Sequence, residues 1–297
     1  MGCEDKMVIS EILTFKPEMK SGIYIIAEAG INHNGSIEIA KKLCEEAKKA
    51  GCDSIKFQKR TIDLVYSKKL LDEPRDSPWG KTQRDQKLGL ELSNEDFQKL
   101  AKYCDSLDID FSASAWDFKS LEFVESLNPK YHKVASAFIN HKDFLKKVAA
   151  YSRPTIVSTG MATLTDIDEA VEIFRHADCP FILMHSVSVY PAQLEELNLN
   201  MIKTLQKRYQ MVVGYSGHEA SVSPTLCAAS LGARVVERHF TLDRTMYGSD
   251  QAASLEIDGM RRLVAGLRKY PVILGSGEKE FGERERIVAK KLRYWEN

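Results

Sequence analysis

Eight times between residues 23 and 241 the sequence sets down a short run of apolar and β-branched residues, and a stretch patterned at helical spacing follows each one. The runs cover residues 23–28, 52–59, 109–115, 131–137, 154–160, 181–187, 211–218 and 234–241, and most of their starts lie 22 to 30 residues apart. A run apolar on both faces suits a strand buried on both sides, as in a parallel sheet, and parallel neighbours need a crossover helix between them. The intervening patterns at 36–50, 93–107, 118–127, 141–151, 164–175, 200–207, 222–231 and 258–269 supply those helices. Unbroken strand–helix alternation predicts a single TIM (β/α)8 barrel, and barrels of about 250 residues form one domain. A doubly wound open sheet is the alternative, but no GxGxxG turn follows a strand here.

Three segments fall outside the alternation. Residues 1–22 contain a short alternating stretch at 8–15 that suits a hairpin plugging the barrel floor. Residues 60–92 form a long polar insertion carrying Pro74, Pro78, Trp79 and Gly80, and residues 274–297 form a charged tail ending in Leu292, Tyr294 and Trp295. Forty-two basic residues balance 42 acidic ones, so no global field favours nucleic acid or an anionic membrane, and any anionic ligand must be met by local charge. No apolar run approaches the ~18 residues of a membrane span, and residues 1–20 lack the apolar centre of a signal peptide, so a cytoplasmic protein is expected. The six cysteines show no CxxC spacing and are expected to be reduced structural thiols.

In a barrel the residues at the C-terminal strand ends share one mouth. Here they are Glu28, Lys56, Gln58, Ser112, Ser114, Lys133, Ser136, Ser158, Thr159, His185, Ser186, Ser188, Tyr190, Ser216, His218, Glu237 and His239. Two lysines and several hydroxyls converging on one pocket predict a site for phosphate or carboxylate. Glu28 is costly to bury at the end of an apolar strand unless it does chemistry or meets a partner. His218 and His239 end the seventh and eighth strands, which are neighbours in a barrel, so their imidazoles can meet at one divalent cation, with Asp250 eleven residues beyond. Two imidazoles leave coordination positions for water and substrate, the arrangement of a catalytic metal. His132, His141 and His176 lie in helices or at the wrong strand ends.

The motifs AEAGINHNGS, IKFQ, HKVAS, STGM, HSVSVYP, GYSGH and ERHFTLDR, in this order, resemble the barrel domain of the sialic acid synthase family over residues 23–277. The family comprises phosphoenolpyruvate-dependent N-acetylneuraminate synthases and their legionaminate and pseudaminate relatives. The resemblance implies a metal-dependent condensation of phosphoenolpyruvate with an aldose or aldose phosphate, giving a 3-deoxy-ulosonic acid and phosphate. It places phosphoenolpyruvate on Lys56, Lys133, Ser136, Ser158 and Ser216, and a divalent cation on His218 and His239, manganese first, with magnesium or cobalt as alternatives. It makes Glu28 the acid near C2 of phosphoenolpyruvate, and sets Gln58, Tyr190 and Asp250 near the acceptor sugar.

The chain departs from the family pattern in three places, where Phe138 replaces a glutamate, Ser188 an asparagine and Ala113 a threonine. The antifreeze-like domain that usually follows the family barrel, and that supplies an arginine over the acceptor, is expected to be missing. The insertion is then the segment expected to close the pocket, with Arg75, Lys81 or Arg84 gripping a distal group of the sugar. A homodimer through the tail and the face around the long insertion is expected, with the same tail folded back on its own barrel as the alternative. A lysine Schiff-base aldolase using Lys133 or Lys56 and a non-catalytic sugar-phosphate-binding barrel are the competing functions.

Overall fold

The computed structural model describes residues 22–296. Its barrel strands are β1 (Tyr24–Gly30), β2 (Ser54–Lys59), β5 (Asp110–Ala115), β6 (His132–Val134), β7 (Thr155–Ser158), β8 (Phe181–Ser186), β9 (Val213–Gly217) and β10 (Val235–His239). All eight pair in parallel, and β1 hydrogen-bonds to both β2 and β10, so the sheet closes. The helices between them are α1 (Ile37–Ala50), α5 (Asn94–Ser106), α6 (Phe118–Ser126), α7 (Lys142–Ala149), α8 (Leu164–His176), α9 (Met201–Tyr209), α10 (Ser223–Ser230) and α11 (Ile257–Leu274). The expected (β/α)8 barrel is therefore the fold. The expected N-terminal hairpin lies outside the described residues.

Local chemistry sets the helix ends. Ser36 accepts from the Ile39 amide at 3.3 Å to start α1, and Gly51 stops it in the left-handed region at φ 86°. Ala40, Leu43, Cys44 and Ala47 line the buried face between. Two apolar layers result. One lies between strands and helices, and a smaller one fills the barrel with Tyr24, Ile26, Tyr131, Ile156, Ile182, Met184, Val212 and Val235. Gly214 faces this inner layer because a Cβ there would sit 2.7 Å from the Val235 carbonyl oxygen. Of the cysteines, Cys44, Cys52, Cys104, Cys179 and Cys227 are free thiols, even where the Cys44 and Cys104 sulfurs approach to 3.4 Å.

Two segments differ from expectation in detail. The fourth barrel strand, expected over 131–137, ends at Val134, and a 3-10 turn follows at Ser136–Phe138. This turn takes Ser136 out of the ladder and brings its hydroxyl over Gly160, where a Cβ would lie 2.7 Å from Ser136 Oγ and 2.3 Å from Ser188 Oγ. The insertion is ordered rather than a plain loop: short helices α2 (Ile62–Val65) and α3 (Lys68–Leu71), an antiparallel hairpin of β3 (Pro74–Ser77) and β4 (Gly80–Thr82), then α4 (Gln83–Leu90). Trp79 seats it. A Cβ at Gly89 would fall 2.0 Å from the indole, whose edge meets Tyr247 with centroids 5.4 Å apart. A Cβ at Gly35 would likewise meet the Gly89 carbonyl at 2.0 Å, so α4 rests on the loop after β1.

The tail does not fold back onto the barrel face. Its helix α12 (Glu283–Leu292) buries none of its residues, and Val272, Ile273, Leu292, Tyr294 and Trp295 stay exposed. Among the described residues no helix is long and apolar enough to cross a membrane.

Candidate active site

Side chains alternate across a strand, so the inward face that carries Tyr24 and Ile26 at the floor carries Glu28 at the top of β1. The register lines up the equivalent tops: Glu28 stands opposite Lys56 and His239, and Glu237 opposite Ser216. Together they line a cavity of about 250 Å³ with Gln58, Ser114, Trp116, Lys133, Ser136, Ser158, Ser186, Ser188, Tyr190 and His218.

The floor of the cavity is a chain of alternating charge. Lys56 Nζ lies 2.5 Å from Glu28 Oε2 and 3.7 Å from Glu237 Oε2, and Lys133 Nζ lies 3.6 Å from Glu237 Oε1. Lys56 also donates to Ser114 Oγ at 3.1 Å, Lys133 to Ser158 Oγ at 2.7 Å, and Ser216 to Glu237 at 3.2 Å. Burial opposes the Lys56 charge, but Glu237 and Glu28 outweigh it and hold the ammonium above the ordinary lysine range. For Lys133, equally buried, burial wins: it is in ion-pair contact with Glu237 alone and feels Lys56 as a like charge, so its amine falls below that range despite the pull of Glu237 and Glu28. Burial would raise the Glu237 carboxyl, yet Lys133 and Lys56 pull it well below the usual carboxylate range.

Above the floor, the His218 and His239 rings lie 5.5 Å apart, with Tyr190 4.3 Å from His218. The nearest acceptor to His218 Nδ1 is the Val187 carbonyl at 2.6 Å, so Nδ1 carries the proton and Nε2, 3.0 Å from the Tyr190 hydroxyl, keeps its lone pair. Burial, reinforced by His239, brings the His218 pKa down to about 3, which makes the ring neutral at pH 7. His239 Nδ1 is buried without a hydrogen-bond partner, 3.9 Å from Asp250 Oδ2. A neutral imidazole and an orphaned ring nitrogen facing one space are a donor set that fits a divalent cation. No group of three or more His, Cys, Asp or Glu ligands gathers among the described residues, so substrate or water would complete the shell.

Behind these rings, Arg238 and Glu219 form an ion pair at 3.0 Å, each 1% exposed, and Glu219 also accepts from Tyr215 at 2.9 Å. The pair ties the residue after His218 to the residue before His239 and so fixes the two strand ends together.

Of the expected site residues, Glu28, Lys56, Gln58, Lys133, Ser136, Ser158, Tyr190, Ser216, His218 and His239 all reach the cavity. Ser112 does not. It sits one inward step lower, donating to the Tyr131 carbonyl at 2.8 Å, and Ser114 takes the place at the mouth. Asp250 stands on the rim rather than in the lining. The insertion's cations are not where they were expected. Lys81 crosses the hairpin to Asp76 at 2.6 Å, and Arg84 pairs with Asp63 at 2.5 Å, and neither lines the cavity. Arg75 is exposed and also stays out of the lining. Two residues with no expected role line or complete the site: Glu237, visible as a strand-end acid, and Trp116, which continues the inward face two residues past Ser114. Trp116 packs edge-on against Phe138 at 5.7 Å, so the position of the family glutamate now belongs to an aromatic wall.

A profile described as the NeuB family matches residues 43–279. An N-acetylneuraminate-9-phosphate synthase of Drosophila melanogaster is 40% identical over 268 residues, covering 89% of this chain and 72% of the fly protein. An N,N'-diacetyllegionaminic acid synthase of Legionella pneumophila is 36% identical, covering 91% of this chain and 78% of its own. The crystal structure of an N-acetylneuraminic acid synthetase from Leptospira borgpetersenii superposes with a TM-score of 0.80 at 30% identity, covering 93% of this chain and 94% of that one. The profile spans more than half of the chain, and with the shared barrel it shows that this protein belongs to the NeuB family of sialic acid synthases.

Proposed function

We propose that this enzyme condenses phosphoenolpyruvate with an aldose or aldose phosphate to give a 3-deoxy-ulosonic acid of the sialic acid type. The methylene carbon of phosphoenolpyruvate forms a bond to the aldehyde carbon, water adds at C2, and the C2–O bond breaks to release phosphate. One observation carries this: two buried lysines ringed by serine hydroxyls, which suit a small polyanion, share a single cavity with two converging imidazoles. Lys56 and Lys133, with Ser136, Ser158 and Ser216, hold the phosphate and carboxylate and stabilise the charge on the leaving phosphate. Glu28 takes the proton from the water that adds at C2. Gln58, Tyr190 and, from the rim, Asp250 orient the acceptor. His218 and His239 would hold a divalent cation, manganese first, which when bound polarises the acceptor's aldehyde oxygen.

The test is phosphate release from phosphoenolpyruvate with a panel of N-acylhexosamines and their 6-phosphates in the presence of manganese. Release that requires an aldose and stops on chelation supports the proposal, and no release with any aldose refutes it. The lowered basicity of Lys133 favours a second reading, a Schiff-base aldolase in which that amine attacks a carbonyl. Borohydride with the carbonyl substrate would then trap a covalent adduct on Lys133, and the metal-dependent condensation leaves none. A second copy of the chain covers the end of α11 and the apolar tail, where Val272, Ile273, Leu292, Tyr294 and Trp295 are each more than half exposed. Light scattering at micromolar concentration is expected to give a dimer mass, and a monomer mass would reject that assembly.

A further inference from the structure

Gln58 does not stand alone at the mouth. Its Nε2 donates to Glu28 Oε1 at 3.0 Å, and its Oε1 accepts from the Arg60 guanidinium. Arg60 is held in turn: its Cζ stacks 4.3 Å over the Trp116 ring, Nη1 lies 3.7 Å from Glu91 Oε1, and its side chain is only 10% exposed. Glu91 follows α4, so the contact ties the end of the seated insertion to the end of β2.

A guanidinium has donors and no acceptor, and an ionised carboxylate has acceptors and no donor. Between the two, the Gln58 amide fits one way. The flipped amide would set its NH2 against Arg60 and its oxygen against Glu28, two repulsive contacts in place of two hydrogen bonds. We infer that Arg60 is a positioning residue: by occupying the carbonyl oxygen of Gln58, it makes that amide a pure donor, with one N–H on Glu28 and the other left for an oxygen of the acceptor sugar. The insertion therefore acts on the acceptor through this relay, while Lys81 and Arg84 stay engaged by Asp76 and Asp63. In this form the inference rests on the condensation proposed above.

The test is a double-mutant cycle of Arg60→Met, Gln58→Met and both, with acceptor and phosphoenolpyruvate varied separately. Arg60→Met keeps the stem on Trp116 and should raise the acceptor KM about tenfold or more, the scale of a hydrogen bond to a charged group. The phosphoenolpyruvate KM should hold, and in the Gln58→Met background Arg60→Met should add less than about twofold, within the error of additivity. Arg60→Lys, with a single donor group, should restore part of the loss. Equal losses in both backgrounds, or a phosphoenolpyruvate KM that rises with that of the acceptor, overturn the inference. A readout free of turnover separates it from the reaction itself: in the substrate-free protein the Gln58 side-chain amide should show slowed hydrogen exchange by NMR, lost in Arg60→Met. Fast exchange in the parent overturns the relay even if the condensation stands. Slow exchange in a protein that releases no phosphate would retire the condensation and leave the relay.

Discussion

Replacing Glu237 with Gln keeps the shape of the side chain and removes the carboxylate that is in ion-pair contact with both buried lysines. At 3.6 and 3.7 Å, an effective dielectric of about 20 gives an attraction of about 4.5 kcal/mol for each contact. The two losses are unequal. Lys56 keeps Glu28 at 2.5 Å, but Lys133 is left with the Ser158 hydroxyl. Breaking a buried pair costs roughly 3–5 kcal/mol, and Lys133 can limit the damage by shedding its proton, so a loss of about 3 kcal/mol near pH 7 is expected. The sign with pH follows from linkage. The Lys133 amine is already below the ordinary lysine range, and in the variant it falls further. Between those two pKa values the parent protein binds a proton that the variant does not, so the difference in stability shrinks as pH rises towards the parent value. Urea unfolding at about pH 7 and about pH 9.5, with m unchanged, measures both effects. A loss under about 1 kcal/mol at the lower pH, or one that does not shrink at the higher, would refute the charge chain as drawn here.

Alanine in place of His218 or His239 should abolish turnover and leave the circular dichroism spectrum intact, and full activity in the double variant after chelation would remove the metal from the mechanism. Glu28→Gln should fold, bind phosphoenolpyruvate and turn over at least ~100-fold more slowly. A rate within a few-fold of the parent would assign Glu28 to structure. Gly89→Ala should push Trp79 off its seat, since the added carbon would fall 2.0 Å from the indole. Faster tryptic cleavage within residues 60–92 and a higher acceptor KM are expected, and unchanged cleavage would mean that the insertion is held elsewhere.

The barrel was legible because its strands are buried on both faces, which writes each as a continuous apolar run, and because polar residues collect where those runs end. Glu28, Lys56, Lys133 and the two histidines followed from position alone. Ser112 shows the limit of that rule: Ser112 and Ser114 share one inward face, and only the register of β5 against β6, where Ser114 stands beside Lys133, decides which reaches the mouth. Lys81 and Arg84 show a second limit. Their partners Asp76 and Asp63 are 5 and 21 residues away in sequence, and such surface pairs depend on a hairpin, for Lys81, and on the packing of two short helices, for Arg84, that no periodicity encodes.

Glu237 carries the further lesson that a strand-end acid can be structural and electrostatic at once. Taken alone, Lys56 and Lys133 are two buried like charges, a pocket that repels itself before any ligand arrives. Glu28 and Glu237 bring that cluster to neutrality in the free protein, and an incoming polyanion must then compete with carboxylates already in place. Binding is therefore an exchange of partners. In the condensation proposed above, the lysines would turn from Glu28 and Glu237 towards phosphate and carboxylate, which would free Glu28 Oε2, the oxygen now 2.5 Å from Lys56, to accept a proton from water. In that reaction the ion pair that stabilises the empty site would also keep Glu28 idle until phosphoenolpyruvate arrives.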